Sequence, residues 1–141
     1  MPKSLKRLKF VATQWSRRDP AIKTWESLSE EERHRLCNVL VPQPGELPLA
    51  VALDVPNPLV LSNHRLVWLS GEQVIDLDLN RIVEIHPPKD WNYDKLSLHT
   101  LVIKTDDSKQ YLLEVPMGST CFSIWNLILN FKQPGAGKPI N

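Results

Sequence analysis

The chain has 141 residues, 42% of them hydrophobic, which is enough for one domain with a proper buried core. No run of about 18 apolar residues and no signal-peptide stretch is present, so we expect a cytoplasmic protein, peripheral to a membrane at most. The formal net charge of +1 hides an asymmetry: +4 over residues 1–45, −5 over 46–131 and +2 over 132–141. Nucleic acid is therefore not an expected partner of residues 46–131, because phosphates attract concentrated positive charge.

Residues 1–18 form a basic N-terminal segment without any acidic residue. Leu5, Leu8 and Val11 have helical spacing, so a weakly amphipathic turn or two could bind an acidic surface or a membrane. A frayed, solvated terminus is the favoured alternative. If the segment is an anchor, its basic residues carry the binding: Lys3, Lys6, Arg7, Lys9, Arg17 and Arg18.

Residues 19–45 are predicted to be a helical extension of two short helices. Asp19 and Pro20 suit an N-cap and first helical position, and Ile22, Trp25 and Leu28 would then share one face. Ser29 and Glu32 have the spacing of a capping box, which predicts the second helix start. Pro42, Pro44 and Gly45 end this helix.

Residues 46–131 change to the alternating pattern of β-strands, closed by one amphipathic helix. After Pro116 and Gly118, Ser119 or Thr120 can cap that helix, and its apolar stripe comprises Cys121, Ile124, Trp125, Ile128 and Phe131. The proline- and glycine-rich residues 132–141 are predicted to be a disordered tail. The predicted strands are 47–53, 59–61, 64–69, 73–77, 81–86, 96–105 and 110–115.

Two local strings carry a resemblance to a known superfold. Residues 59–68, LVLSNHRLVW, resemble the L-x-L-T-N-x-R-L segment of GRAM and bacterial pleckstrin-homology-like (PH-like) domains, and residues 75–85 resemble their next two strands. The resemblance covers about residues 46–131. It implies an α+β, mainly β fold: a bent, partly open antiparallel barrel of about seven strands capped by the C-terminal helix. It also implies that Trp125 packs into the barrel, and it leaves the N-terminal helices outside the PH-like domain.

No catalytic, cofactor or metal site is predicted. The four histidines lie on different predicted elements at no ligand-like spacing, and no glycine-rich phosphate loop or nucleophile motif occurs. Cys37 and Cys121 are interpreted as reduced, packed thiols. The carboxylates of Asp76 and Asp78 are interpreted as outward strand positions, and those of Asp106 and Asp107 as turn residues.

The first functional hypothesis is a non-enzymatic interaction module that binds a protein or peptide, for example by strand addition at a sheet edge. Trp91 and Tyr93 in a polar loop, together with Arg65, are the candidate partner-binding residues. The second hypothesis is a peripheral membrane or acidic-surface adaptor that uses the basic segment. The third is a small enzyme, and assembly into a homo-oligomer is left open.

Overall fold

The computed structural model describes residues 4–36, 39–89, 99–116 and 118–132. Over these ranges the chain forms an α+β, mainly β fold with three α-helices and eight strands in two antiparallel sheets, as predicted for the fold class. The predictions that concern Lys3, Cys37, Trp91, Tyr93 and the tail from residue 133 onward lie outside the described residues.

The larger sheet has five strands in the spatial order β1-β2-β3-β4-β5, and the smaller has three, β6-β7-β8. Within the described ranges no strand pairing joins the two sheets, and no closed barrel forms. Strands β2 to β5 are a meander in which each strand pairs with the next, because short turns connect them. The strands are β1 (Ile22–Thr24), β2 (Pro48–Ala52), β3 (Leu59–Ser62), β4 (Arg65–Ser70), β5 (Gln73–Asp78), β6 (Ile82–His86), β7 (Thr100–Thr105) and β8 (Gln110–Glu114).

The C-terminal helix α3 (Ser119–Phe131) packs into the main core together with Trp68 of β4. The predicted apolar stripe is largely confirmed, but Trp125 is only partly buried and Leu127 takes the buried place beside Ile128. Neither predicted residue caps the helix, because Gly118 occupies the N-cap with a φ of +92°, which favours glycine.

The first described helix, α1 (Leu5–Arg18), shows that the expectation of a frayed terminus is wrong for these residues. Its apolar face enters the main core, where Leu8, Val11 and Ala12 are buried. Burial of this face against β1 and α3 stabilises a helix whose length alone would leave it marginal in water.

The prediction that a helix begins at Asp19 is also wrong. Asp19 instead ends α1 as its C-cap, and its Oδ1 accepts the Ala21 N–H at 2.9 Å, so the chain turns and Ile22 pairs with Ala52 in the sheet. A 3-10 turn (Trp25–Ser27) follows. The second predicted start is confirmed, since Ser29 and Glu32 form a complete capping box on α2 (Glu30–Arg35).

The segment around α2 covers the outer face of the five-stranded sheet. Leu28, Leu36 and Leu40 join a second apolar cluster with residues of β2, β3 and β4, among them Val60 and Val67. Strand β3 is therefore buried on both faces, which explains its uninterrupted apolar sequence.

Candidate functional site: a groove along the free edge of β5

An open groove of about 620 Å³ lies between β5 and the turn that joins β7 to β8. On one side it is lined by Asp76, Leu77 and Asp78 of β5. Arg81 and Asp107 line the other side. The groove exists because β5 is the last strand of its sheet, and within the described residues no other strand pairs with its outer edge.

The hydrogen-bond ladder shows which backbone groups of β5 face this groove. The Leu79 N–H donates to the His64 carbonyl at 2.9 Å. In an antiparallel ladder the bonded pairs alternate, so Ile75 and Leu77 direct their backbone groups toward β4. The alternate residues Val74, Asp76 and Asp78 therefore direct their N–H and C=O groups away from β4, toward the free edge.

Arg65 at the groove is held by two carboxylates. Its Nε and one terminal nitrogen donate to both oxygens of Glu46 at 2.8 and 2.7 Å, and the other terminal nitrogen donates to Asp76 at 2.6 Å. Burial alone would raise the pKa of Glu46, but the hydrogen bonds from Arg65, Ser62 and the Gln43 N–H outweigh it and lower that pKa to about 2. Most Arg65 donors are thus used within the fold, and its partner-binding role stays a prediction.

Arg81 makes a second, more exposed cluster on the opposite side of the groove. Its guanidinium lies 2.9 Å from Asp106 and 3.5 Å from Asp107. The hydrogen bond to Asp106 raises the pKa of Arg81, and the hydrogen bond from the Thr105 hydroxyl lowers the pKa of Asp107. Both arginines of the groove are therefore already shared between two carboxylates.

The groove consequently carries an excess of negative charge. Asp78 has no ion-pair partner among the described residues, and its carboxylate accepts the nearby Asn80 N–H. Lys109 on the β7–β8 turn offsets only part of this excess, through Asp107. Sequence reasoning missed this site, although two carboxylates spaced two residues apart at the end of a predicted strand, Asp76 and Asp78, were a usable signal.

The predicted basic residues are brought together elsewhere. Five of the six lie exposed on α1, and Lys3 is outside the described residues. They stand at the opposite edge of the five-stranded sheet from the groove, because α1 packs on β1 and β2 while the groove follows β5. The exposed residues are Lys6, Arg7, Lys9, Arg17 and Arg18.

Cys121 is fully buried, and burial raises the pKa of its thiol to about 11, so it packs as predicted rather than reacting. Over the described ranges, no three His, Cys, Asp or Glu side chains come together as a metal-binding group. No helix in the described part of the chain is long and apolar enough to cross a membrane.

No family model and no curated protein matches this chain. A solved structure of the C-terminal domain of an unknown protein from Leishmania infantum is similar at 12% sequence identity, with a TM-score of 0.41. The similarity covers 72% of this chain and 92% of that one. A similarity this low gives no information on function, so the proposed function is based on the geometry and charge of the groove.

Proposed function

We propose that this protein is a non-enzymatic interaction module of PH-like type that binds an extended protein or peptide segment by strand addition to β5. Three features support the PH-like interpretation: the four-strand meander β2–β5, the three-strand sheet β6–β8, and α3 packed in the core. They follow the element order that the string at residues 59–68 led us to expect. A bent, partly open barrel is the arrangement we propose for these sheets.

The free edge of β5 carries the proposal. It presents the backbone groups of Val74, Asp76 and Asp78, which no described strand pairs, and an open groove lies beside Asp76 and Asp78. Such an edge is a template for another strand. The six residues of β5 span about 20 Å, enough to pair with a segment of similar length. Backbone pairing would supply affinity, and the groove would select the side chains.

The charge of the groove defines the partner further. Asp78 makes no ion pair with any described residue, and Asp76 shares one arginine with Glu46. An incoming segment with a lysine or arginine facing these carboxylates would gain electrostatic complementarity. We therefore propose a basic extended segment as the ligand.

An enzymatic role is less well supported by the same groove. His64 lines it near three aspartates, which is a composition that general acid–base catalysis could use. However, the His64 side chain is exposed, and no hydrogen bond among the described residues orients its imidazole. We therefore assign His64 no catalytic role.

The test uses a proline on the free edge of β5. Val74→Pro removes an N–H that faces the free edge and not β4, so the internal ladder keeps its bonds. Val74→Ala is the matched control, because it shortens the same half-exposed side chain and retains the N–H. Peptides selected by the full wild-type chain from a random library should be enriched in Lys and Arg.

Such peptides should bind the Val74→Ala variant nearly normally and lose at least tenfold in affinity for the Val74→Pro variant, measured by calorimetry. Circular dichroism would verify that both variants keep the wild-type fold. Equal binding by the two variants would place the partner away from β5 and refute the proposal. Failure to select any peptide would also count against it.

A further inference from the structure

The outward face of α1 combines cations with one exposed aromatic residue. Lys6, Phe10 and Arg17 are spaced by four and seven residues, which places them along one line opposite the buried face of the helix. Arg7, Lys9 and Arg18 flank this line. The helix has 14 residues, so the basic surface extends over about 21 Å.

Among the described residues, the cations of this surface have few acidic partners. The sequence of α1 contains no Asp or Glu. Lys9 approaches Glu26 at 3.9 Å, but both side chains are at least half exposed, and such pairs contribute little. Arg7 and Arg18 instead lie over the rings of Phe10 and Trp15, at 5.8 and 5.0 Å.

Phe10 is the apolar centre of the surface. It remains 56% exposed although the opposite side of the same helix is fully packed, and Leu47, 44% exposed, lies at a small apolar pocket that reaches α1 through Lys9 and Thr13. An aromatic side chain surrounded by long cationic chains is the composition expected where a protein meets lipid headgroups. A folded helix presents these groups without an ordering cost.

Charge also orients the whole molecule. The basic surface belongs to the β1 edge of the five-stranded sheet and the acidic groove to the β5 edge, which are four strand spacings or about 19 Å apart along the sheet. An anionic plane would attract the α1 edge and repel the β5 edge. Occupation of one surface therefore leaves the other accessible.

We propose that the outward face of α1 docks on an anionic membrane surface, with Phe10 entering the headgroup region and the five cations facing lipid phosphates. This membrane-binding site is distinct from the proposed peptide-binding site at β5, and neither proposal depends on the other. Each cation near such a surface strengthens binding about fivefold, and Phe10 adds a similar factor.

Co-sedimentation of the full chain with vesicles tests the proposal. Binding is expected to vesicles of phosphatidylcholine mixed with phosphatidylserine and not to pure phosphatidylcholine, and it should weaken as salt is raised. Lys6→Gln with Arg17→Gln should weaken binding about thirty-fold. Arg35→Gln with Lys89→Gln is the matched control, since it removes one arginine and one lysine that are exposed elsewhere, and it should retain wild-type binding.

Phe10→Ala should weaken binding about fivefold, whereas Leu112→Ala, which shortens a residue 62% exposed on β8, should have no effect. Equal losses in the two charge variants would show that only net charge matters and would refute the proposal. Absence of binding to the anionic vesicles would refute it as well. If soluble polyglutamate displaces the protein from the vesicles and Phe10→Ala has no effect on vesicle binding, the surface binds an acidic protein and the membrane assignment is wrong.

Discussion

Arg65→Met is expected to destabilise the fold strongly, because it leaves the Glu46 carboxylate buried without its cation. The Glu46 side chain has no solvent exposure and that of Arg65 is 14% exposed. After the substitution, Glu46 would keep the Ser62 hydroxyl, at 2.6 Å, and the Gln43 N–H, at 3.0 Å. Removing one partner of a buried ion pair typically costs about 3–5 kcal/mol, so a loss of this size in the free energy of unfolding is expected.

Arg81→Met is the matched control. Arg81 also contacts two carboxylates, Asp106 and Asp107, but its side chain is 52% exposed. Exposed ion pairs contribute little to stability, so this variant should lose much less stability than Arg65→Met. Adding Glu46→Gln to Arg65→Met should recover most of the lost stability, because no buried charge then remains.

Urea unfolding of the three variants and the wild type measures these differences. The pH dependence supplies a second readout. The wild-type pKa of Glu46 is lowered from 4.5 to about 2, so its contribution is complete above pH 4.5 and is lost as the pH falls toward 2. The difference in the free energy of unfolding between the wild type and Arg65→Met should therefore become smaller over that interval. Equal destabilisation by the Arg65 and Arg81 substitutions would refute the reasoning, since burial would then be irrelevant.

Three further changes test other parts of the fold. Ser29→Ala should cost about 1 kcal/mol by removing the cap of α2, and a loss below about 0.3 kcal/mol in urea would contradict a stabilising capping box. Asn57→Ala should remove the acceptor of the Glu114 N–H, at 2.8 Å, and speed hydrogen exchange of that amide; unchanged exchange would rule out this link between the sheets. In a Cys37→Ser background, Cys121 should react with a thiol reagent only as fast as the protein unfolds, and rapid labelling under native conditions would disprove its burial.

The strands from residue 46 onward and the final helix were predictable from the sequence because local patterns report them. Alternating apolar residues mark strands such as β2, and three- and four-residue spacing marks α3. Trp125 was assigned to the buried stripe and lies at its border instead, because the rotation of α3 on the sheets is set by packing that spacing alone does not contain.

The N-terminal region was harder to predict because its structure depends on distant residues. Ile22 joins a strand since Ala52 is available to pair with it, and no signal within residues 19–28 reveals that partner. The short α1 sequence likewise gains its stability from β1 and α3. The groove was missed for the same reason: Asp107 and Tyr111 line it beside Asp78 only after the second sheet has folded back next to β5.

Because α1 packs on α3, the core of this protein cannot be completed until the ribosome has synthesised both helices. Among the described elements α1 is translated first and α3 last, and the Thr120 hydroxyl lies 3.4 Å from the carboxylate of Asp19, 101 residues earlier. The apolar face of α1 can therefore reach its final packing only after nearly the whole chain has been synthesised. A nascent chain stalled before α3 would expose Leu8 and Val11, and chaperones would be expected to engage it there.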